Sequence, residues 1–196
     1  MNQIYAHVIN NEIKALNIRR GSSFKGKKLG AKSSDETYAS MNLFPIVGAA
    51  PEYNSKTHTV SGPQYTWDSD TKLVTKDYTL SEISLEIQKQ NKLKELHEYR
   101  KKIEFGGFTL PNGTFINTDK EDQRKIDGAV LGCQNNPDVI INFKTSVGYA
   151  QFDSVTMISI GQAVFNHIQA CHTREMELTT AIDNDINTDI TTGWPV

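Results

Sequence analysis

The feature that most constrains the fold is a change of hydrophobic period at Ser81. Before it, side-chain character alternates along short runs such as IYAHVI and KLVTKDYTL, a period of two that is typical of β-strands. After it, Ile83 and Ile87 are four residues apart, as are Tyr99 and Ile103, which is the spacing of one helix face. A chain with strands first and helices later is expected to adopt an α+β fold.

The first 80 residues predict a small β-rich domain. A hairpin is expected where IYAHVIN and EIKALNI meet at Asn10 and Asn11, because Asn tolerates the positive φ of a tight turn. A second pair of strands, THTVSGPQYTW and KLVTKDYTL, is joined by the turn-forming sequence DSDT. Between the two pairs, residues 19–35 are rich in Gly, Ser and Lys and predict an exposed loop.

Residues 81–105 predict one helix, with Ser81 as its N-cap and Gly106 and Gly107 at its end. Its middle, residues 88–92, is polar all round. This indicates a helix that connects two domains, or else a self-associating helix. The predicted organisation is therefore a docking domain over 1–80, a connecting helix over 81–105, and a C-terminal domain over 106–196.

The C-terminal domain should combine hairpins with two helices. Asn112 and Gly113 suit a tight hairpin turn. Thr118 and Glu121 have the spacing of a capping box, which predicts a helix to about Cys133. VIINFKT and YAQF predict a second hairpin around residues 146–148.

A long helix should follow, capped by Asp153 or Ser154 and extending to about Asn184. Its apolar residues recur at helical spacing and predict the face that packs on the core. They are Ile158, Gly161, Val164, Phe165, Ile168, Cys171, Leu178 and Ile182.

GSSFKGKK, residues 21–28, resembles a phosphate-binding loop but lacks two of its requirements. The eighth position needs a hydroxyl that binds Mg²⁺, and here it is Lys28. The residues that follow, LGAKSSDE, carry turn formers where a helix N-terminus should present its N–H groups. Nucleotide binding is therefore not predicted.

The same region carries six cationic residues and no acidic residue, which makes it the main candidate interaction segment. These residues are Arg19, Arg20, Lys25, Lys27, Lys28 and Lys32. Up to Leu80 the chain has ten Lys and Arg against seven Asp and Glu, and from Ser81 onward eleven against sixteen. Three interpretations stay open: a solvated loop, docking onto an acidic protein surface, and contact with nucleic acid. The charge is too modest, and Phe24 too isolated an aromatic, to favour nucleic acid.

Residues that could bind a metal or act as nucleophiles are sparse. His167, Cys171 and Glu175 share a helix face, but no second group of ligands accompanies them, so a packed thiol beside a histidine is favoured and no metal or cofactor is predicted. Cys133 and Cys171 are expected to be free, buried thiols. The longest apolar runs are too short to span a membrane, and no secretory signal is visible.

Trp194 is a second candidate interaction residue. It stands in the terminal sequence TTGWPV, and two interpretations are open for it. The ring could fold back and cover the end of the helical domain, or it could anchor the chain to a partner, since exposed Trp is frequent at binding hot spots.

A series of motifs in fixed order gives the chain a family resemblance. R-x-x-x-E-x-G-G, at Arg100, Glu104, Gly106 and Gly107, is followed by GTFINTD, DQRKIDGA, INFKT, AVFNHIQAC, AID and DITTGWP. This series resembles the uncharacterised C-terminal domain common in tail proteins of tailed bacteriophages, often encoded near tail fibre genes. The resemblance covers residues 83–195 well and the first 80 residues loosely, where the long basic loop departs from the pattern.

The resemblance implies a non-enzymatic protein of the phage tail, with no catalytic residues to carry over. Its expected partners are other tail or fibre proteins, or further copies of itself, and neither nucleic acid nor membrane. The expected location is the virion tail, after a period in the host cytoplasm during assembly. The alternative is a tail-fibre assembly chaperone that is absent from the mature particle. A glycan hydrolase is a more distant alternative, which two carboxylates converging in one cleft would favour.

Overall fold

The computed structural model describes residues 3–28, 30–145 and 148–195. It divides the chain into two compact units, Met1–Ser84 and Leu85–Val196. The first unit is β-rich and the second contains three long helices, so the predicted α+β class is confirmed. No helix among the described residues is both long and apolar enough to cross a membrane.

The first unit is built on a five-stranded sheet. Its elements are β1 Ile4–Ile9, β2 Glu12–Arg19, β3 Ser23–Phe24, β4 Lys27–Lys28, α1 Asp35–Ala39, β5 Leu43–Val47, β6 His58–Asp68 and β7 Leu73–Glu82. The strand order is β2-β1-β5-β7-β6, and all neighbours are antiparallel except β5 and β7. Asn10 and Asn11 both have positive φ, 51° and 64°, in the predicted hairpin turn between β1 and β2.

Strand β1 is covered on both faces. Tyr5 packs with Tyr38 and Leu43 in one apolar cluster, whereas Ala6 and Val8 belong to another. All four residues from Tyr5 to Val8 are therefore buried. The alternating sequence indicated two distinct faces, and the structure buries both because a separate apolar cluster packs on each face of the strand.

The predicted loop over residues 19–35 is more ordered than expected. Strands β3 and β4 form a two-residue hairpin around Lys25 and Gly26, whose φ angles are 47° and 78°. The Ser34 hydroxyl then accepts a hydrogen bond from the Thr37 N–H and caps α1. Strands of two residues and a helix of five are too short to show a hydrophobic period, so the sequence did not reveal them.

The second unit packs its longest helix against two others. Its elements are α2 Leu85–Glu104, β8 Phe108–Thr109, β9 Phe115–Ile116, α3 Lys120–Asn135, β10 Ile140–Thr145, β11 Gly148–Asp153 and α4 Ser154–Asn184. Helix α4 contacts both α2 and α3. A Cβ atom on Gly161 would lie 2.4 Å from Val130 Cγ2, so this glycine is what lets α3 approach α4 closely. Residues 146 and 147, in the predicted hairpin turn, lie outside the described residues.

The prediction of Ser81 as a helix N-cap is wrong. Ser81 lies in β7, paired with Thr59 of β6, and the Ile83 N–H extends the ladder by donating to the Thr57 carbonyl. The long strand β6 offers pairing partners that a local pattern does not reveal. Helix α2 therefore begins at Leu85 and belongs to the second unit, where Leu96 packs with Leu178.

The predicted capping box is also wrong by one residue. Asp119, not Thr118, caps α3, because its carboxylate accepts hydrogen bonds from the N–H groups of Glu121 and Asp122. For α4, Asp153 is confirmed as the cap through its bond from the Thr156 N–H, and the predicted end at Asn184 is confirmed as well.

The predicted apolar face of α4 is only partly buried. Val164, Cys171, Leu178 and Ile182 of the predicted set lie in the core, together with Met157, Ile160 and His167, which the prediction omitted. Ile158 and Phe165 are instead 38% and 56% exposed. They lie one residue beyond Met157 and Val164, which rotates them roughly 100° away from the core.

Candidate interaction site

The cations of the basic segment, residues 19–28 and 30–32, lie at the end of β2, in the β3–β4 hairpin and just after it. Lys27 and Lys28 are both exposed on β4, and Lys32 is exposed in a turn before α1. Arg19 is exposed at the end of β2. Among the residues that the structure describes, these four cations form no ion pair, so their charge is available to a partner.

Arg20 is used inside the unit. Its guanidinium forms an ion pair with Asp35, at the start of α1, and lies 5.9 Å from the ring centroid of Tyr5 and 5.3 Å from that of Tyr38. The Tyr5 hydroxyl donates to the same Asp35 carboxylate over 2.8 Å. Burial, and then the hydrogen bond to Asp35 and its charge, raises the pKa of Tyr5 to about 12. Arg20 therefore connects α1 to the sheet, and its charge is already paired within the unit.

Lys25 is exposed like the four free cations, but it also contacts residues of its own unit, as Arg20 does. Its Nζ lies 3.4 Å from His7 Nε2 and 5.6 Å from the centroid of the Phe24 ring. Burial lowers the pKa of His7, and the charge of Lys25 lowers it further. Lys25 is itself exposed, so it adds to the positive surface while it covers the His7 side chain.

Arg100 and Glu104 of the R-x-x-x-E motif lie one turn apart on α2 and are both buried. The guanidinium pairs with Glu104 and also with Glu175 of α4, where Nε lies 2.8 Å from Oε2. His97 Nδ1 lies 3.1 Å from the other oxygen of Glu175. The buried guanidinium of Arg100 thus joins α2 to α4, and His97 adds a contact at the surface, so these charges serve the fold and not an open cleft.

The two glycines that follow end α2 and let β9 approach. The Gly107 N–H donates to the Thr118 hydroxyl over 2.9 Å, and that hydroxyl donates in turn to the Glu104 carbonyl. Gly107 has φ +78°, and a Cβ there would lie 2.4 Å from the Phe115 ring. Thr118 is fully buried, and its hydroxyl connects Gly107 to Glu104 through these two hydrogen bonds. This explains why it does not cap α3.

The terminal Gly-Trp-Pro sequence folds back onto the second unit. Trp194 is half-buried, its indole N–H donates to the Ile190 carbonyl over 2.8 Å, and its ring centroid lies 5.7 Å from that of Tyr99. Gly193 has φ +74°, and its missing side chain leaves room for the Arg174 guanidinium. Trp194 therefore covers the contact of α2 with α4, and only part of its ring is open to a partner.

His167, Cys171 and Glu175 do not converge on one point. His167 Nε2 lies 3.3 Å from the Ile103 carbonyl and 3.9 Å from Cys171 Sγ, while Glu175 pairs with Arg100. Burial raises the pKa of Cys171 to about 11, with a smaller opposing effect of the Arg100 charge, so the thiol is protonated and a poor nucleophile. Both cysteines are free and buried, as predicted. In the described ranges no group of three His, Cys, Asp or Glu side chains is placed to hold a metal.

A pH dependence follows from the buried imidazole of His167. Burial lowers the pKa of this group below 6.5, and the hydrogen bond with the Ile103 carbonyl opposes this shift more weakly. The unfolded chain then binds the proton more readily than the folded one. The contribution of His167 to the stability of the second unit should therefore be fully present above pH 6.5. It should be lost as the pH falls through and below that value.

Thermal unfolding between about pH 7.5 and 5.5 measures this effect. We expect the midpoint of the wild type to fall on acidification, and His167→Gln to show a smaller fall. His172→Gln, at an exposed histidine of the same helix, is the control and should keep the wild-type slope. An unchanged slope in His167→Gln would contradict the assignment.

Sequence reasoning missed a groove of about 830 Å³ between α3 and the β10–β11 hairpin. Its floor is apolar and is formed by Ile116, Ala129, Ile141, Phe143, Phe152, Met157 and Ile160. Tyr149, 80% exposed, stands at its edge. The alternation of INF and YAQF predicted that one face of the hairpin is apolar, but not that helix α3 leaves a gap beside it.

Three carboxylates lie on the rim of the groove, and each is engaged. Asp119 caps α3, and hydrogen bonds from the N–H groups of Asp122 and Glu121 help hold its pKa below the usual value. Lys125 pairs with Glu121 and Asp122, and its hydrogen bond lowers the pKa of Glu121. A glycosidase needs one carboxyl group of raised pKa as its acid, and both of these shifts are downward.

Comparison with known protein families gives a match that lies within the second unit. No curated protein and no solved structure matches the chain. One family model, described as a domain of unknown function (DUF4376), matches residues 87–192, more than half of the chain. The matched region includes the Arg100–Glu104 pair, Gly107, Thr118 and the groove. The chain therefore belongs to the DUF4376 family.

Proposed function

We propose that this chain is a non-enzymatic structural component of a bacteriophage tail, in the baseplate or tail-fibre region, which attaches neighbouring virion proteins to each other. The proposal starts from the resemblance of the motif series to phage tail proteins. The observation that carries it is the position of the motif side chains. Arg100, Glu104, Thr118 and Trp194 all make contacts inside the second unit.

The surfaces left for function suit protein partners. The basic segment presents Arg19, Lys27, Lys28 and Lys32 without internal ion pairs among the described residues. Such a patch attracts an acidic protein surface and speeds encounter with it. The groove beside α3 has an apolar floor and a charged rim, which is the general composition of a protein-binding surface. Two separate surfaces would let one chain bridge two neighbours.

Mass spectrometry of purified particles tests the proposal. Peptides of this chain at a fixed ratio to the other tail proteins are expected. If the chain is abundant in infected cells, bound to a fibre protein, and absent from particles, the virion role is wrong and the assembly chaperone is the better account.

Charge reversal tests the basic segment. Lys25→Glu, Lys27→Glu and Lys28→Glu together should slow incorporation into particles roughly tenfold at low salt, because they replace steering attraction by repulsion. The wild type should lose incorporation as salt is raised, since exposed charges are screened. The measurement is the ratio of this chain to other tail proteins in particles.

The matched control reverses three exposed lysines elsewhere in the same unit, Lys14, Lys56 and Lys72. It changes net charge by the same amount and should incorporate as the wild type does. Equal defects in both triple variants would indicate an effect of total charge. No defect in either would indicate that the basic segment is solvated and binds no partner.

A further inference from the structure

The outer face of helix α4 carries an exposed row of apolar side chains. Val155, Ile158, Phe165 and Met176 are 75%, 38%, 56% and 66% exposed; we call these four residues the α4 seam. Gln162, Gln169 and His172 are exposed at the intervening positions, so the whole row advances by three and four residues alternately. This is the spacing that keeps one helix face turned towards a neighbouring helix.

The stretch that carries Val155, Ile158 and Phe165 contains no carboxylate, ammonium or guanidinium group, whereas Met176 lies beyond it between Glu175 and Glu177. Residues 154–173 include no Asp, Glu, Lys or Arg over twenty positions. Helix α2, also twenty residues long, has ten. The solvent face of a surface helix is usually charged or polar, so an uncharged face with exposed Val, Ile and Phe indicates a surface that is covered in use.

We infer that the α4 seam is the contact surface for the same seam of a second copy of this chain. A partner must offer apolar side chains at the same three-and-four spacing. It must also bring no charge, because an unpaired charge opposite Phe165 would lose its hydration without compensation. An identical seam satisfies both conditions. The amides of Gln162 and Gln169 can donate to and accept from one another across such a contact.

The size of the seam sets the strength of the association. From Val155 to Met176 the helix rises about 32 Å, and it is about 10 Å wide, which gives a footprint of roughly 320 Å². A stable interface covers about 800 Å² on each partner. The seam is smaller, so the expected dimer is reversible, with a Kd on the order of 10 µM. This self-association is independent of the proposed role in the phage tail.

Sedimentation velocity of the full chain, over roughly 1–200 µM, tests the inference. The wild type should pass from monomer to dimer over this range. Phe165→Glu should weaken the dimer at least tenfold, because it places an unpaired charge at the centre of the seam. Gln162→Leu should tighten it, because a polar position between the seam residues Ile158 and Phe165 becomes apolar.

Tyr149→Glu is the matched control, since it changes an exposed aromatic residue of β11 that is not on α4. It should dimerise as the wild type does, and circular dichroism should show the same helix content in every variant. A wild type that stays monomeric over the whole range overturns the inference. So does a dimer that survives Phe165→Glu and ignores Gln162→Leu, or one that Tyr149→Glu disrupts equally.

Discussion

Replacing Arg100 with methionine is expected to lower the free energy of unfolding of the second unit by about 3–5 kcal/mol. The variant leaves the carboxylate of Glu104 buried at 7% exposure without its cation. Glu175 keeps its contact with His97, so the loss is centred on Glu104. Urea denaturation followed by far-ultraviolet circular dichroism measures it, because the three long helices all belong to this unit.

The double variant Arg100→Met with Glu104→Leu separates the unpaired charge from lost packing. Removing both charges should recover most of the stability, to within about 1–2 kcal/mol of the wild type, as buried pairs replaced by apolar side chains usually do. Lys125→Met removes exposed ion pairs only and should leave the transition in place. A double variant as unstable as the single one would show that the unpaired carboxylate is not the cause.

Replacing Gly107 with alanine should cost about 2–4 kcal/mol, the second large effect. Gly107 has φ +78°, a conformation that alanine adopts with strain. The new methyl would also lie 2.4 Å from Phe115 Cζ and 2.6 Å from the Ile116 carbonyl oxygen, so β9 would have to move. The same urea titration measures the loss.

Gly113→Ala is the control for backbone strain alone. Gly113 has φ +85°, but nothing lies within 4 Å of its hypothetical Cβ. Its cost should be about 1 kcal/mol, from the positive φ. Equal losses at both positions would mean that the close approach of β9 contributes nothing.

Local patterns predicted most helix and strand positions in this chain. The hairpin at Asn10 and Asn11 and the cap at Asp153 depend on neighbours within a few residues, and both are confirmed. The errors at Ser81 and Thr118 share one cause. Each polar residue stands where a cap is expected, but a distant partner holds it elsewhere: the backbone of Ser81 pairs with Thr59 in the sheet, and the Thr118 hydroxyl donates to the Glu104 carbonyl.

The candidate site was predicted as residue types but not as an arrangement. Six cations could be counted in the sequence, yet Arg20 is held by Asp35 because the sheet and α1 bring them together. Glu175 had no local signal as the partner of Arg100, which lies on another helix. The groove exists only because α3 and the β10–β11 hairpin pack on α4 with a gap between them.

By itself, the sequence determined the kind and order of the longer elements, though not β3, β4 or α1, and the absence of Asp, Glu, Lys and Arg from residues 154–173. These properties depend on backbone preference, side-chain period and hydrogen bonds between near neighbours, all of which are local. Only the tertiary structure decided the strand order β2-β1-β5-β7-β6, the burial of Arg100, and the exposure of Ile158 and Phe165. The reason is that burial belongs to a pair of surfaces, and the residues that form such a pair lie far apart in the chain.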